Sequence, residues 1–108
     1  MAEALQLVTG GSGYFGSLLV QKLRERGLPV RIFDLVDADD RPSDVEFVQG
    51  DILDPAALDR ACRGAGVVYH NIAQIALAKS EELLRSVNVT GTERLLEAAK
   101  RHNVRKVI

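Results

Sequence analysis

Apolar positions along the chain alternate between short continuous runs and longer stretches with helical spacing. Residues 4–9 form a short apolar run, read as a buried strand. Residues 13–26 follow with Phe15, Leu18, Leu19 and Leu23 spaced to share one helical face. Lys22, Arg24, Glu25 and Arg26 fall mostly outside that face, and Gly27 is the expected stop. Residues 29–34 read as a second strand opened by a proline, which a strand start tolerates. Residues 36–44 are polar and loop-like, and residues 45–48 form a third strand. Residues 55–63 predict a helix with Pro55 in its first turn and Asp54 as N-cap. Residues 67–70 give a fourth strand. Residues 80–102 are largely helical with a break near Thr90-Gly91, and residues 104–108 start a fifth strand.

Strands that alternate with helices pair in parallel through right-handed crossovers. The strands are apolar on both sides, as a sheet covered on both faces requires. The fold class is therefore α/β: a Rossmann-type doubly wound parallel sheet, order 3-2-1-4-5, truncated at about the fifth strand. The whole chain, residues 1–108, forms one such domain. Its end inside an apolar strand pattern suggests a piece of a longer protein. On this layout the helix from Gly13 covers one sheet face near the first two strands, and the later helices cover the other. The remainder of the first face is expected to stay bare, which predicts self-association.

Between the first strand and first helix stands Thr9-Gly10-Gly11-Ser12-Gly13-Tyr14-Phe15-Gly16. Gly11, Gly13 and Gly16 satisfy G-x-G-x-x-G; Gly10, Gly13 and Gly16 satisfy G-x-x-G-x-x-G. Glycine permits the tight turn, lets a pyrophosphate approach the backbone at Gly13, and lets the helix lie close to the strand at Gly16. Amides at the helix start then point at the phosphates, aided by the helix dipole. The second strand ends in Asp34, 18 residues beyond Gly16, near the spacing of about 20 expected for a ribose-binding carboxylate. A carboxylate there accepts hydrogen bonds from both ribose hydroxyls and repels a 2′-phosphate, so it favours NAD over NADP. Leu35 and Val36, not an arginine, follow it.

Composition narrows the alternatives. The chain is 46% hydrophobic and 27% charged, with 14 basic and 15 acidic residues and a net charge of −1. No basic stripe points to nucleic acid, and no apolar stretch is long enough to cross a membrane. The basic residues Lys100, Arg101, Arg105 and Lys106 read as a solvated helix end and strand edge. The single cysteine, Cys62, cannot form an internal disulfide and reads as a small buried residue. A cytoplasmic protein is the expectation.

Four ordered segments resemble the extended class of the short-chain dehydrogenase/reductase superfamily. That class holds NAD-dependent sugar-nucleotide epimerases and dehydratases and 3β-hydroxysteroid dehydrogenase-like enzymes. Residues 9–16 match its T-G-x-x-G-x-x-G turn, and Gly50-Asp51-Ile52-Leu53-Asp54 its G-D-[IL]-x-D segment. Val67-Val68-Tyr69-His70-Asn71-Ile72-Ala73 resembles its V-[VI]-x-H-x-A-A strand. Asn88-Val89-Thr90-Gly91-Thr92 with Leu95-Leu96-Glu97-Ala98-Ala99 matches its N-V-x-G-T-x-x-L-L-E-A-A helix. The resemblance implies that Gly10, Gly13 and Gly16 form the pyrophosphate turn, with amides from Tyr14 and Phe15. It implies that Asp34 binds the adenosine ribose and that Asp51 and Ile52 flank the adenine. Asn71, Ile72 and Ala73 would line the dinucleotide, and Asn88 would serve as a structural polar anchor. His70 reads as a hydrogen-bonded core histidine, and His102 as a helix-end residue.

Two departures limit the implied activity. Ile72 stands where the class usually has alanine. The class's catalytic tyrosine and lysine, four residues apart, are not in these 108 residues: Leu18 and Ala73 stand four beyond Tyr14 and Tyr69. The chain therefore reads as the NAD-binding portion of an epimerase, dehydratase or dehydrogenase, without turnover of its own. A non-catalytic NAD(P)-sensing or structural module is the alternative.

Overall fold

The computed structural model describes residues 4–71 and 86–108. In chain order these are β1 (Leu5–Thr9), α1 (Tyr14–Glu25), β2 (Val30–Asp34), β3 (Glu46–Gln49), α2 (Pro55–Cys62) and β4 (Ala65–His70). A π-helical turn, Ser86–Thr90, leads into α3 (Gly91–Arg101), and β5 (Lys106–Val107) follows. The five strands lie in the order β3-β2-β1-β4-β5, and every pairing is parallel. This is the order expected from the sequence. The break near Thr90-Gly91 takes the form of the π-helical turn. The β5 ladder extends past its formal ends, since Arg105 N–H donates to Gly66 O and Ile108 N–H to Val68 O.

Alternate residues of the sheet feed two cores. Leu7, Phe33 and Val68 face α2 and α3, meeting Ala57, Leu58, Ala61, Cys62, Leu95 and Ala98. Val8, Val30 and Ile32 face α1, meeting Val20 and Leu23. An ion-paired cluster ties α2 to α3: Asp59 accepts from Arg101 Nε at 3.0 Å and lies 3.2 Å from His102 Nε2. The Arg101 contact holds the Asp59 carboxyl below the usual carboxylate range. Arg31 reaches from β2 to the end of α2, donating to the carbonyls of Ala61 and Arg63. There it satisfies orphan C-terminal acceptors and opposes the negative end of the dipole.

The buried face of α1 differs from the one that spacing predicts. Gly16, Val20 and Leu23 are buried, with Leu19 partly buried against them, whereas Phe15 is 77% and Leu18 46% exposed. Apolar residues at 15, 18, 19, 20 and 23 cover more than one face, so periodicity alone leaves the rotation open. Contact at Gly16 sets it: a Cβ there would lie 2.1 Å from Gly10 O.

The uncovered sheet face is also less bare than expected. By register, Gln6, Val67, Tyr69, Lys106 and Ile108 share the α1 side of the β1–β4–β5 half. Gln6 and Val67 are only 5% and 8% exposed, while Ile108 is 60% exposed. Tyr69 Oη donates to Gln6 Oε1 at 3.0 Å.

Each described helix ends at a left-handed residue, at the opposite end of the strands from the glycine-rich turn. Gly27, Gly64 and Asn103 have φ of +75°, +78° and +57°.

Two measurements check this packing. Gly16→Ala should cost about 1–3 kcal/mol in denaturant unfolding, because the added methyl must displace backbone. Cys62 is fully buried, and burial pushes its thiol up to about 11. Its alkylation at pH 8 in the native chain should be roughly a hundredfold slower than that of a free thiol. Rapid alkylation without unfolding would contradict the placement.

Candidate functional site

The carboxyl ends of β1, β2 and β4 converge where the strand order reverses, with β2 on one side of β1 and β4 on the other. Open α/β sheets bind ligands at such a switch point. Gly10, with φ of +71°, turns the chain out of β1, and its N–H donates to Phe33 O at 2.8 Å. Gly13 is the N-cap of α1 and supplies no side-chain cap. The first intrahelical bond runs from Ser17 N–H to Gly13 O. The amides of Tyr14, Phe15 and Gly16 therefore lack intrahelical acceptors, and no capping oxygen competes for them.

The four glycines of the turn are there for different reasons. Gly10 needs its left-handed φ. A Cβ at Gly11 would lie 2.7 Å from Ile32, and one at Gly16 2.1 Å from Gly10 O. Gly13 has an ordinary φ of −82°, and its Cβ would meet only Gly10 O, at an acceptable 3.4 Å. Nothing in the described fold demands glycine at 13. Its missing side chain leaves the backbone beside the uncapped amides open to approach.

Asp34 closes the site from β2. Its Oδ2 accepts from Ser12 N–H at 3.1 Å and its Oδ1 from Leu35 N–H at 2.7 Å. The carboxylate is thus anchored on the glycine turn and keeps lone pairs for further donors. Sequence reasoning missed Ser12, an "x" of the motif. Beyond the Asp34 contact, its Oγ is buried without a hydrogen-bond partner among the described residues.

Asp51 is exposed and organises a turn, its Oδ1 accepting from Leu53 N–H at 2.9 Å and its carbonyl from Asp54 N–H. Asp54 caps α2 through Ala56 N–H. Ile52 is 4% exposed and its side chain lies against Gly91, where a Cβ would approach to 3.0 Å. Any contact from Ile52 to a ligand is therefore made by its main chain. Asn71 is exposed at the end of β4, and its N–H donates to Thr9 Oγ1 at 2.9 Å. Ile72 and Ala73 lie outside the described residues. His70 is hydrogen-bonded, as expected, its Nδ1 2.8 Å from Thr9 Oγ1 and its Nε2 3.2 Å from Thr92 Oγ1. Burial lowers its pKa below the ordinary histidine value.

The loop after Asp34 is braced rather than free. A cleft of about 280 Å³ separates it from α1, with Leu18, Ile32, Arg24 and Arg41 in its walls. Arg24 binds both oxygens of Asp44, and Arg41 binds both oxygens of Asp37. Arg41 also donates to Val45 O and stands over the Phe47 ring. Both arginines are already engaged by carboxylates.

The described residues contain no helix long and apolar enough to cross a membrane, and no group of three or more His, Cys, Asp or Glu able to hold a metal.

Comparison with known proteins identifies the family. Residues 7–108 match the model of the 3-beta hydroxysteroid dehydrogenase/isomerase family. Mouse sterol-4-alpha-carboxylate 3-dehydrogenase, decarboxylating, is 35% identical over 101 residues, which is 94% of this chain and 28% of that protein. An NAD-bound short-chain dehydrogenase/reductase superfamily protein from Agrobacterium tumefaciens superposes with a TM-score of 0.84 at 38% identity. The match covers 95% of this chain and 31% of that one. Thermus thermophilus UDP-glucose 4-epimerase, in complex with NAD, superposes with a TM-score of 0.86 at 35% identity, covering 95% and 36%. The chain spans between 26% and 29% of the length of the curated relatives it matches. With its glycine turn, its Asp34 anchor and a match along nearly its whole length, the chain belongs to the 3-beta hydroxysteroid dehydrogenase/isomerase family, within the extended short-chain dehydrogenase/reductase superfamily.

Proposed function

We propose that the chain is the NAD-binding portion of an NAD-dependent oxidoreductase or epimerase/dehydratase. The observation that carries this is Gly13, a glycine that the fold itself does not need, placed beside three uncapped helix amides. The amides of Tyr14, Phe15 and Gly16 would hold the pyrophosphate, with Gly10 shaping the turn. Asp34 would accept from the adenosine ribose hydroxyls while still fixed to Ser12. Asp51 and the main chain of Ile52 would flank the adenine, and Asn71, with Ile72 and Ala73, would line the dinucleotide beyond β4. Bound there, the cofactor would supply hydride transfer to or from a carbon of the substrate.

Preference for NAD over NADP follows from charge. A 2′-phosphate would sit against the Asp34 carboxylate, and Arg24 and Arg41 are tied to Asp44 and Asp37. Calorimetric titration should give measurable NAD binding and weaker NADP binding. Asp34→Ala should weaken NAD by about tenfold, the scale of hydrogen bonds to a charged acceptor, and narrow the preference. Gly13→Ala should cost about 1 kcal/mol in stability, because alanine caps a helix worse than glycine, yet weaken NAD far more than that loss of stability accounts for. Equal NAD affinity for Gly13→Ala and the unsubstituted chain would remove the main support for the reading.

Self-association of these 108 residues through the β4–β5 half of the α1-side face belongs to the same proposal, since Ile108 stands 60% exposed there. Sedimentation should show weight-average mass rising with concentration; a concentration-independent monomer would refute it.

A further inference from the structure

Beneath the switch point a line of short polar contacts crosses from β4 to β1 and to α3. Asn71 N–H donates to Thr9 Oγ1 at 2.9 Å and, at longer range, to Thr9 O at 3.3 Å. Thr9 Oγ1 lies 2.8 Å from His70 Nδ1 and 3.4 Å from Tyr69 O. His70 Nε2 lies 3.2 Å from Thr92 Oγ1, and the Thr92 hydroxyl donates to Asn88 O at 2.8 Å. Proton positions follow from what each atom can do. Asn88 O is a carbonyl and only accepts, so the Thr92 proton is committed to it. Thr92 Oγ1 must then accept from His70 Nε2–H. His70 Nδ1 is left bare and accepts the Thr9 hydroxyl proton. Thr9 Oγ1 in turn accepts from Asn71. The other tautomer fails at both ends. Thr9 would receive two N–H donors while its own proton had only the distant Tyr69 carbonyl, and the Thr92 proton would have to leave Asn88.

We propose that His70 is a positioning residue which, as the Nε2–H tautomer, aligns one directed chain of hydrogen bonds from Asn71 through Thr9 and Thr92 to Asn88, and so fixes the spacing of the β1 and β4 ends. Thr9 is the residue before Gly10, and Asn71 is the first residue past β4. The chain of bonds therefore sets where the glycine turn and the β4 exit stand across the crevice. Thr9 is fully buried, which leaves its hydroxyl no water to exchange partners with. The consequence for cofactor binding rests on the NAD reading above; the hydrogen-bond chain does not.

The test has two arms on the 108-residue chain. In the first, the ligand-free chain carries ¹⁵N-labelled histidine, and His102→Gln assigns the two histidines apart. At neutral pH, His70 should show a protonated Nε2 and a bare Nδ1. A protonated Nδ1, or averaging between tautomers, would overturn the proposal. Hydrogen exchange of the Asn71 amide should be severalfold faster in Thr9→Val and in His70→Leu than in the unsubstituted chain, the longer bond to Thr9 O remaining in both. It should return to near its original rate in His70→Asn, whose amide oxygen can take the Thr9 proton. If His70→Leu does not fold, the tautomer and the isosteric Thr9→Val still decide. In the second arm, NAD titration should show Thr9→Val weakened by about tenfold and His70→Asn close to unsubstituted. Loss of NAD binding by the unsubstituted chain would refute the cofactor reading alone. Normal NAD affinity in Thr9→Val would refute the positioning role while leaving that reading standing.

Discussion

The closeness of α1 to the turn that precedes it governs the rest of the molecule. The space between Gly16 and Gly10 O has no room for a single methyl group. A helix held that near has its rotation decided: Val20 and Leu23 go inward, while Tyr14 and Phe15 go to solvent. The same approach sets the uncapped amides of Tyr14, Phe15 and Gly16 just past the carboxyl end of β1. Gly10, bent left-handed out of the strand, makes the approach possible. The rotation of α1 and the placement of its first-turn amides are thus consequences of one contact.

Much of this was legible in the residues. Strand order followed from the alternation of apolar runs with helical spacing, and the turn from its glycines. What stayed hidden were contacts between positions with no shared periodicity. The buried face of α1 could not be read because apolar residues at 15, 18, 19, 20 and 23 satisfy more than one face. The loop at 36–44 looked unconstrained because Arg24 and Asp44 are 20 residues apart and nothing local marks them as partners. Ser12 was missed because a motif reports its glycines and hides its variable positions. His70 was recognisable as hydrogen-bonded, yet Thr9 and Thr92 lie 61 and 22 residues away. Ile52 was legible as a member of a segment but not as a core residue packed on Gly91.

Electrostatics in this chain act on shape more than on stability. Exposed ion pairs contribute only about 0–1 kcal/mol each, and most pairs here are at least partly exposed. Their value lies in where they meet. Arg24 and Arg41 hold the loop after β2 from both sides, and Arg41 adds a carbonyl and an aromatic ring to its carboxylate. Arg31, only 15% exposed, is the exception, since it closes the end of α2 against the sheet. Together the Arg24 and Arg41 contacts tie the segment beside Asp34 to α1 and to the start of β3.

The two ends of the strands are built to different rules. At one end the described helices terminate in Gly27, Gly64 and Asn103, left-handed residues that reverse the chain within a few positions. Such junctions leave little slack, because a slip of one residue in the next strand's register would send its apolar side chains to the wrong face. At the other end the glycine turn takes residues 10–13 between β1 and α1, whereas the loop from β2 to β3 takes residues 35–45. A longer loop of that kind absorbs an inserted residue without disturbing strand pairing. The left-handed junctions hold the frame, and the loop after β2 is where length and composition can change.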